Sequence, residues 1–167
     1  MLIETARLRL RPMTMADLDE FVALPFATPP FDRQRAIARL HANEAEWKDR
    51  GQGILAILDR VSRRFVGRVA LKYWAQRDET WFGIALHRDD WGRGFATEAG
   101  RACVAWGFRH LGIPYISAMI DPENTRAIKL VERLGMTRQR TLDFFNDSAV
   151  LYRVTGEDWE RGAAPEG

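Results

Sequence analysis

Residues Ile84–Phe108 read IALHRDDWGRGFATEAGRACVAWGF. A strand end, a glycine-rich turn and a helix start follow one another there without interruption. Gly92 and Gly94 let the backbone turn tightly and approach a ligand closely. The helix that starts near Ala96 leaves its first amides without intrahelical partners. Those N–H groups of Gly92, Gly94, Phe95, Ala96 and Thr97, helped by the helix dipole, suit a pyrophosphate, and Arg93 adds a cation beside them. The run lacks the Gly-Lys-Ser/Thr ending of a Walker A loop. It is not a dinucleotide fingerprint either, having no G-x-G-x-x-G and no acidic residue about 20 positions on at the end of a second strand.

The surrounding chain of 167 residues, 46% hydrophobic, fits one globular domain over residues 1–160 with a polar tail from Arg161 to Gly167 that has the composition of a disordered end. Cys103, the sole cysteine, rules out an intrachain disulfide and reads as a buried apolar position. His41, His87 and His110 lack metal-ligand spacing. The formal charge of +2 is small, and the arginines are spread. Arg63–Phe65 and Arg138–Arg140 read as solvated faces, which argues against a nucleic-acid partner. No segment reaches the ~20 apolar residues of a membrane span, so the cytoplasm is the expected location.

Arg7–Arg11 alternates as a half-buried strand ending at Pro12. Thr14 caps a helix, the proline-rich residues 25–31 break it, and Asp32 restarts a second helix that ends at Gly51. Strands follow at Ile54–Leu58, Phe65–Trp74 and Thr80–Leu86, then the glycine turn and its helix. Ile116–Ile120 is a strand, and Asn124 caps a helix whose Ala127, Leu130, Val131 and Leu134 share one face up to Gly135. Two strands, Thr137–Asp143 and Ala149–Thr155, close the domain around an Asn146-Asp147 turn. The sum is a mixed α/β sheet with helices on both faces.

Trp91–Ala99 (WGRGFATEA), Glu123–Met136 (ENTRAIKLVERLGM) and Glu4–Phe21 (ETARLRLRPMTMADLDEF) together resemble the GNAT N-acetyltransferases, in the branch of the Rim-type acetyltransferases of ribosomal-protein N-termini. The family's Q/R-x-x-G-x-G/A pattern falls on Trp91–Ala96, with Trp91 replacing the polar first residue. The resemblance implies a mostly antiparallel seven-stranded sheet whose fourth and fifth strands splay to form an acyl-CoA cleft. It implies acetyl-CoA as cosubstrate and a primary amine as acceptor. Splaying would leave the backbone of Ile84, Ala85 and Leu86 to bond the pantetheine arm, with the N–H near Leu86 as oxyanion donor, while Arg93, Asn124, Arg126 and Lys129 support the phosphates.

The resemblance also exposes gaps. Where many relatives carry the glutamate of E-I-G-Y-W-L, this chain has Trp81; where some carry a serine or tyrosine near the thiol, it has Ala127 and Val131. An α-amine of pKa about 7.7–8.0 is already partly neutral at pH 7, so a weak base would serve. Glu79, on the same strand face as Trp81, is the candidate relay, set against its reading as an exposed hairpin carboxylate. His87 is a second, weaker candidate, and Tyr152 could line the acceptor pocket or belong to the core. Trp74, Trp81 and residues 26–31 favour a partly apolar acceptor over a polyamine. Phe144 and Phe145 mark a candidate homodimer contact. The competing function is a catalytically silent acyl-CoA-binding sensor or interaction module.

Overall fold

The computed structural model describes residues 1–25, 32–144 and 147–163, without the side chains of residues 144, 147 and 163. Strand β1 (Ile3–Glu4) and β2 (Leu8–Pro12) form a hairpin; α1 (Leu18–Ala23) and α2 (Arg33–Arg50) follow. Then come β3 (Ile54–Asp59), β4 (Phe65–Trp74), β5 (Glu79–Leu86), α3 (Phe95–Leu111), β6 (Tyr115–Ile120) and α4 (Thr125–Arg133). The chain closes with β7 (Thr137–Phe144), β8 (Asp147–Thr155) and α5 (Gly156–Ala163).

These strands make one sheet in the order β1-β2-β3-β4-β5-β6-β8-β7, antiparallel except between β5 and β6. It has eight strands where seven were expected. The extra one, β1, has two residues, too few to show a period. A turn holds it, with the Leu8 N–H donating to Thr5 Oγ1 at 2.9 Å. Helix α5 was also not anticipated, although the Thr155 hydroxyl donates to Asp158 Oδ2 at 2.9 Å and accepts from the Asp158 N–H at 3.1 Å, as an N-cap side chain does. It takes in residues 161–163 of the expected tail, while residues 164–167 lie outside the described residues.

Period-two alternation distributes the strands between two cores. Leu55, Ile57, Val69, Leu71 and Phe82 pack with Phe95, Ala99, Cys103 and Val104 of α3 and with Leu130, Val131 and Leu134 of α4. Their neighbours Ile54, Ala56, Leu58 and Ala70 pack on the other face with Phe21 of α1 and Ala36 and Leu40 of α2. Buried Tyr152 belongs to the α3 core. Buried Asn43 of α2 stitches its helix to the sheet: its amide donates to Met13 O and Ile54 O, both at 3.1 Å, and its carbonyl accepts from the Ile54 N–H at 2.6 Å. On the other face, a Cβ on Gly107 would come within 2.5 Å of Leu71, which explains how closely α3 approaches β4.

Candidate active site

Two features of the chain meet at β5. First, β5 and β6 pair only at Thr80–Ile116 and Trp81–Ser117, and part beyond them. The His87 N–H donates to Val66 O at 3.0 Å, which sets the alternation along β5. Gly83 and Ala85 therefore bond to β4, while the N–H and C=O groups of Ile84 and Leu86 and the C=O of Phe82 face the gap, the Phe82 N–H closing the last rung of the β5–β6 ladder. The expectation that Ala85 bonds across the gap is thus corrected. The Leu86 carbonyl is also taken, by Trp91 Nε1 at 3.1 Å, so the Leu86 N–H is the group it leaves toward the gap.

Second, the helix beyond β5 starts with open amides. The first α3 bond runs from the Glu98 N–H to Gly94 O at 3.1 Å, so Phe95, Ala96 and Thr97 have no intrahelical acceptor. Gly94 is the N-cap at φ 77° and Gly92 lies at φ 74°, both left-handed conformations. A Cβ on Gly92 would meet open space, whereas one on Gly94 would face Arg7 Nη2 at 3.3 Å.

The loop is braced by residues that the sequence did not single out. Asp90, 1% exposed, accepts from Arg64 Nη1 and Nη2 at 2.8 and 2.6 Å. The Arg64 hydrogen bonds hold the Asp90 carboxyl below the usual range, against the opposing effect of burial. Arg64 therefore serves the loop and is no solvated bystander. Arg93 is also engaged: its Nη1 donates to Asp90 at 3.1 Å, and its guanidinium covers the Phe95 ring at 4.6 Å. Arg7 lies 4.6 Å from the same ring, donates to Arg93 O at 2.9 Å and pairs with Glu98 at 2.7 Å. Glu98 also receives Thr5 Oγ1 at 2.6 Å and the Arg7 N–H at 2.9 Å, which turns the carboxylate away from the open amides.

The Asn124 side chain caps α4 by accepting from the Ala127 N–H at 3.1 Å. Arg126 stacks on Trp91 at 4.0 Å, joining α4 to the loop, and Lys129 is exposed. Ala127 is half-buried and Val131 buried, and neither side chain can give a proton.

Glu79 overturns its reading as an exposed hairpin group. It is 6% exposed, and its Oε2 accepts from Ser117 Oγ at 2.8 Å and from Arg153 Nη2 at 2.9 Å. The cause is β6, which arrives alongside in parallel and carries Ser117, with β8 supplying Arg153. Beside it Trp81 packs edge-on to Trp74 at 4.5 Å, and its indole Nε1 is enclosed without a hydrogen-bond partner among the described residues. His87 sits at the far end of β5, 2.9 Å from Glu20, beside a depression of about 410 Å³ lined in part by Arg64 and Arg88. Cys103 is buried in the α3 core and its thiol is pushed up to about 12, which rules it out as a nucleophile. Residues 26–31 and Phe145 lie outside the described residues, as does the side chain of Phe144. None of the described helices is long and apolar enough to cross a membrane.

Both the sequence and the fold have counterparts among known proteins. The protein YkkB of Bacillus subtilis is 27% identical over 158 residues, covering 89% of this chain and 92% of its own. A structure described as a GNAT-family acetyltransferase from Bordetella pertussis superposes with a TM-score of 0.83 at 26% identity, covering 92% of this chain and 98% of that one. One described as a ribosomal-protein-serine acetyltransferase from Vibrio cholerae shares the fold, with a TM-score of 0.76 at 20% identity over 93% and 97% of the two chains. The acetyltransferase (GNAT) domain family matches residues 7–137, and this chain belongs to it as an acetyltransferase.

Proposed function

We propose that this protein moves an acetyl group from acetyl-CoA to a primary amine, of a protein N-terminus or a small molecule, with residues 1–160 as the transferase domain acting in the cytoplasm. One observation carries the reading: the gap that opens after Trp81–Ser117 leads along β5 to the unbonded amides of Phe95, Ala96 and Thr97. An extended amide-bearing arm fits beside Phe82, Ile84 and Leu86, and a pyrophosphate fits the amides from Gly92 to Thr97. Arg93, Asn124, Arg126 and Lys129 lie on the elements flanking that position and supply positive charge and amide donors to the phosphates.

In the reaction the neutral amine attacks the thioester carbon, a C–N bond forms and the C–S bond breaks. The backbone N–H groups facing the gap stabilise charge developing on the thioester oxygen. The nitrogen loses its proton to solvent or to a water held near Glu79, and the thiolate gains one from water, since Ala127 and Val131 carry no donor. Glu79 is a weak candidate for that relay because Arg153 and Ser117 already occupy its Oε2.

A second reading, a silent acyl-CoA-binding sensor or interaction module, draws on Trp81 at the glutamate position and on the aprotic Ala127 and Val131. Calorimetric titration of acetyl-CoA together with thiol release separates the two. Release that rises with added amine supports transfer. Tight binding with no release across an acceptor panel selects the silent module.

A further inference from the structure

On the face of the sheet turned toward α1 and α2, side chains beside the gap are large at its head and small where the strands part. Ala70 packs in the α1/α2 core and pairs with Gly83, so Trp81, Gly83 and Ala85 present their side-chain positions to that face. Trp81 stands on the last shared rung, opposite Ser117, and Met119 follows Ser117 on the same face of β6. Gly83 adds no side chain, so the room over the opening gap ends at the Trp81 ring. On the β4 side it is bounded by Arg68, whose Nη1 lies 3.4 Å from where a Gly83 Cβ would stand. The indole is braced in place: it meets Trp74 edge-on at 4.5 Å, and its Nε1 is enclosed.

We propose that Trp81 limits the acyl group of the donor to acetyl, by walling the room over Gly83 in which the thioester and the incoming amine meet. The inference rests on the acetyl-CoA reading above and assigns one residue to the size of the group transferred.

The other directions are closed by the fold. With the phosphates at the amides from Gly92 to Thr97, the arm runs back along β5, so its thiol end comes up toward the Trp81–Ser117 rung. An acyl chain cannot continue straight on, because the strands are paired there. It cannot turn toward α3 and α4, because Phe82, Ile116, Ala118 and Val131 fill that side as buried core. It turns instead over Gly83, where Trp81, Gly83 and Ala85 are only half-buried and an amine can also arrive. A methyl group fits beside the indole. Each further methylene presses on a ring already backed by Trp74, or takes the place of the amine. Close-packed walls yield little to added volume, and a pocket of this kind discriminates one methylene by roughly 10- to 200-fold.

Calorimetry with CoA, acetyl-CoA, propionyl-CoA and butyryl-CoA tests this without any acceptor, on wild type, Trp81→Leu and Gly83→Ala. We expect wild type to bind butyryl-CoA at least tenfold more weakly than acetyl-CoA, with propionyl-CoA between them. Trp81→Leu should bring butyryl-CoA within threefold of acetyl-CoA and leave free CoA unchanged. Gly83→Ala, whose added methyl meets Arg68 at an ordinary contact distance, should lose at least threefold for acetyl-CoA and nothing for CoA. That variant reads the room even if Trp81→Leu fails to fold. Equal binding of the three acyl donors by wild type, a preference that survives in Trp81→Leu, or unchanged acetyl-CoA affinity in Gly83→Ala overturns the inference. Failure of the folded wild type to bind any of the four overturns the acetyl-CoA reading itself. Thiol release is then followed across a panel of amines. A size preference in binding with no release from any donor overturns the transfer reading and leaves the role of Trp81 standing. Equal release from acetyl-CoA and butyryl-CoA overturns the role of Trp81 and leaves transfer standing.

Discussion

Trp81 and Ser117 are the last residues that β5 and β6 share as partners before the strands part. One presents an enclosed indole N–H and the other a hydroxyl committed to Glu79. The head of the gap therefore has hydrogen-bond donors and a carboxylate already neutralised by Arg153, and no unengaged base among these groups.

The first consequence concerns pH. With acceptor deprotonation limiting, kcat/KM should climb with pH toward the acceptor's own amine pKa, so α-amines near 7.7–8.0 outperform lysine-like amines near 10.4. Glu79→Gln should leave the shape of this profile unchanged and lower stability by about 1–3 kcal/mol, because it weakens a partner of buried Ser117 and of Arg153. Thiol-release profiles with several acceptors, alongside denaturant melts, check both. A plateau fixed across acceptors and lost in Glu79→Gln would identify an enzyme base.

Gly94→Val should weaken CoA binding at least tenfold. The cause differs from simple filling of the pyrophosphate space, since the new Cβ faces Arg7 and the backbone must leave its left-handed conformation. That strain costs about 1–2 kcal/mol. Gly92→Ala, with open space around its Cβ, should pay the backbone cost alone and bind better than Gly94→Val. Calorimetry of both folded variants decides; unchanged affinity in Gly94→Val removes the loop from the site.

Asp90→Asn should slacken the loop and cost about 1–2 kcal/mol at neutral pH, an amount tempered by the half-exposed Arg64. Because the folded Asp90 pKa is lowered, its contribution is complete above the unfolded value of about 3.9 and is lost as pH falls through the lower folded value. Stability of the wild type should therefore drop more steeply below about pH 4 than that of Asp90→Asn, measurable by urea unfolding across that range.

Asn43→Ala should destabilise by about 2 kcal/mol, since the buried Ile54 N–H loses its acceptor and Met13 O its Asn43 donor, while Ile54 O keeps the Met13 N–H and Trp47 Nε1. Thermal melts read this directly, and CoA affinity at low temperature should remain near wild type.

Regular elements were legible wherever one residue type suffices locally. Alternating Leu8 and Leu10 announced a half-buried strand, and Gly51 and Gly135 ended helices with positive φ. The glycine turn could be read for the same reason, because its conformational demand lies within a few residues. Arg7 and Arg64 could not, since an arginine's role depends on partners far along the chain: Arg64 meets Asp90, and Arg7 meets Glu98. Glu79 misled for the mirror-image reason. Its own hairpin looks exposed, and only the parallel arrival of β6 encloses it. The length of β1 lay below any periodic signal, whereas the Thr155–Asp158 start of α5 was present and passed over.

The tie between the Thr5–Arg7 turn and Glu98 has a practical bearing on how the protein is handled. None of the first five residues is fully buried, so trimming them would look harmless by any measure of core packing. Yet Thr5 and Arg7 together hold the opening turn of α3 from its outer side. A shortened or tagged amino end would announce itself in donor affinity before it showed in melting temperature, and a clone begun a few codons late could pass for a naturally weak enzyme.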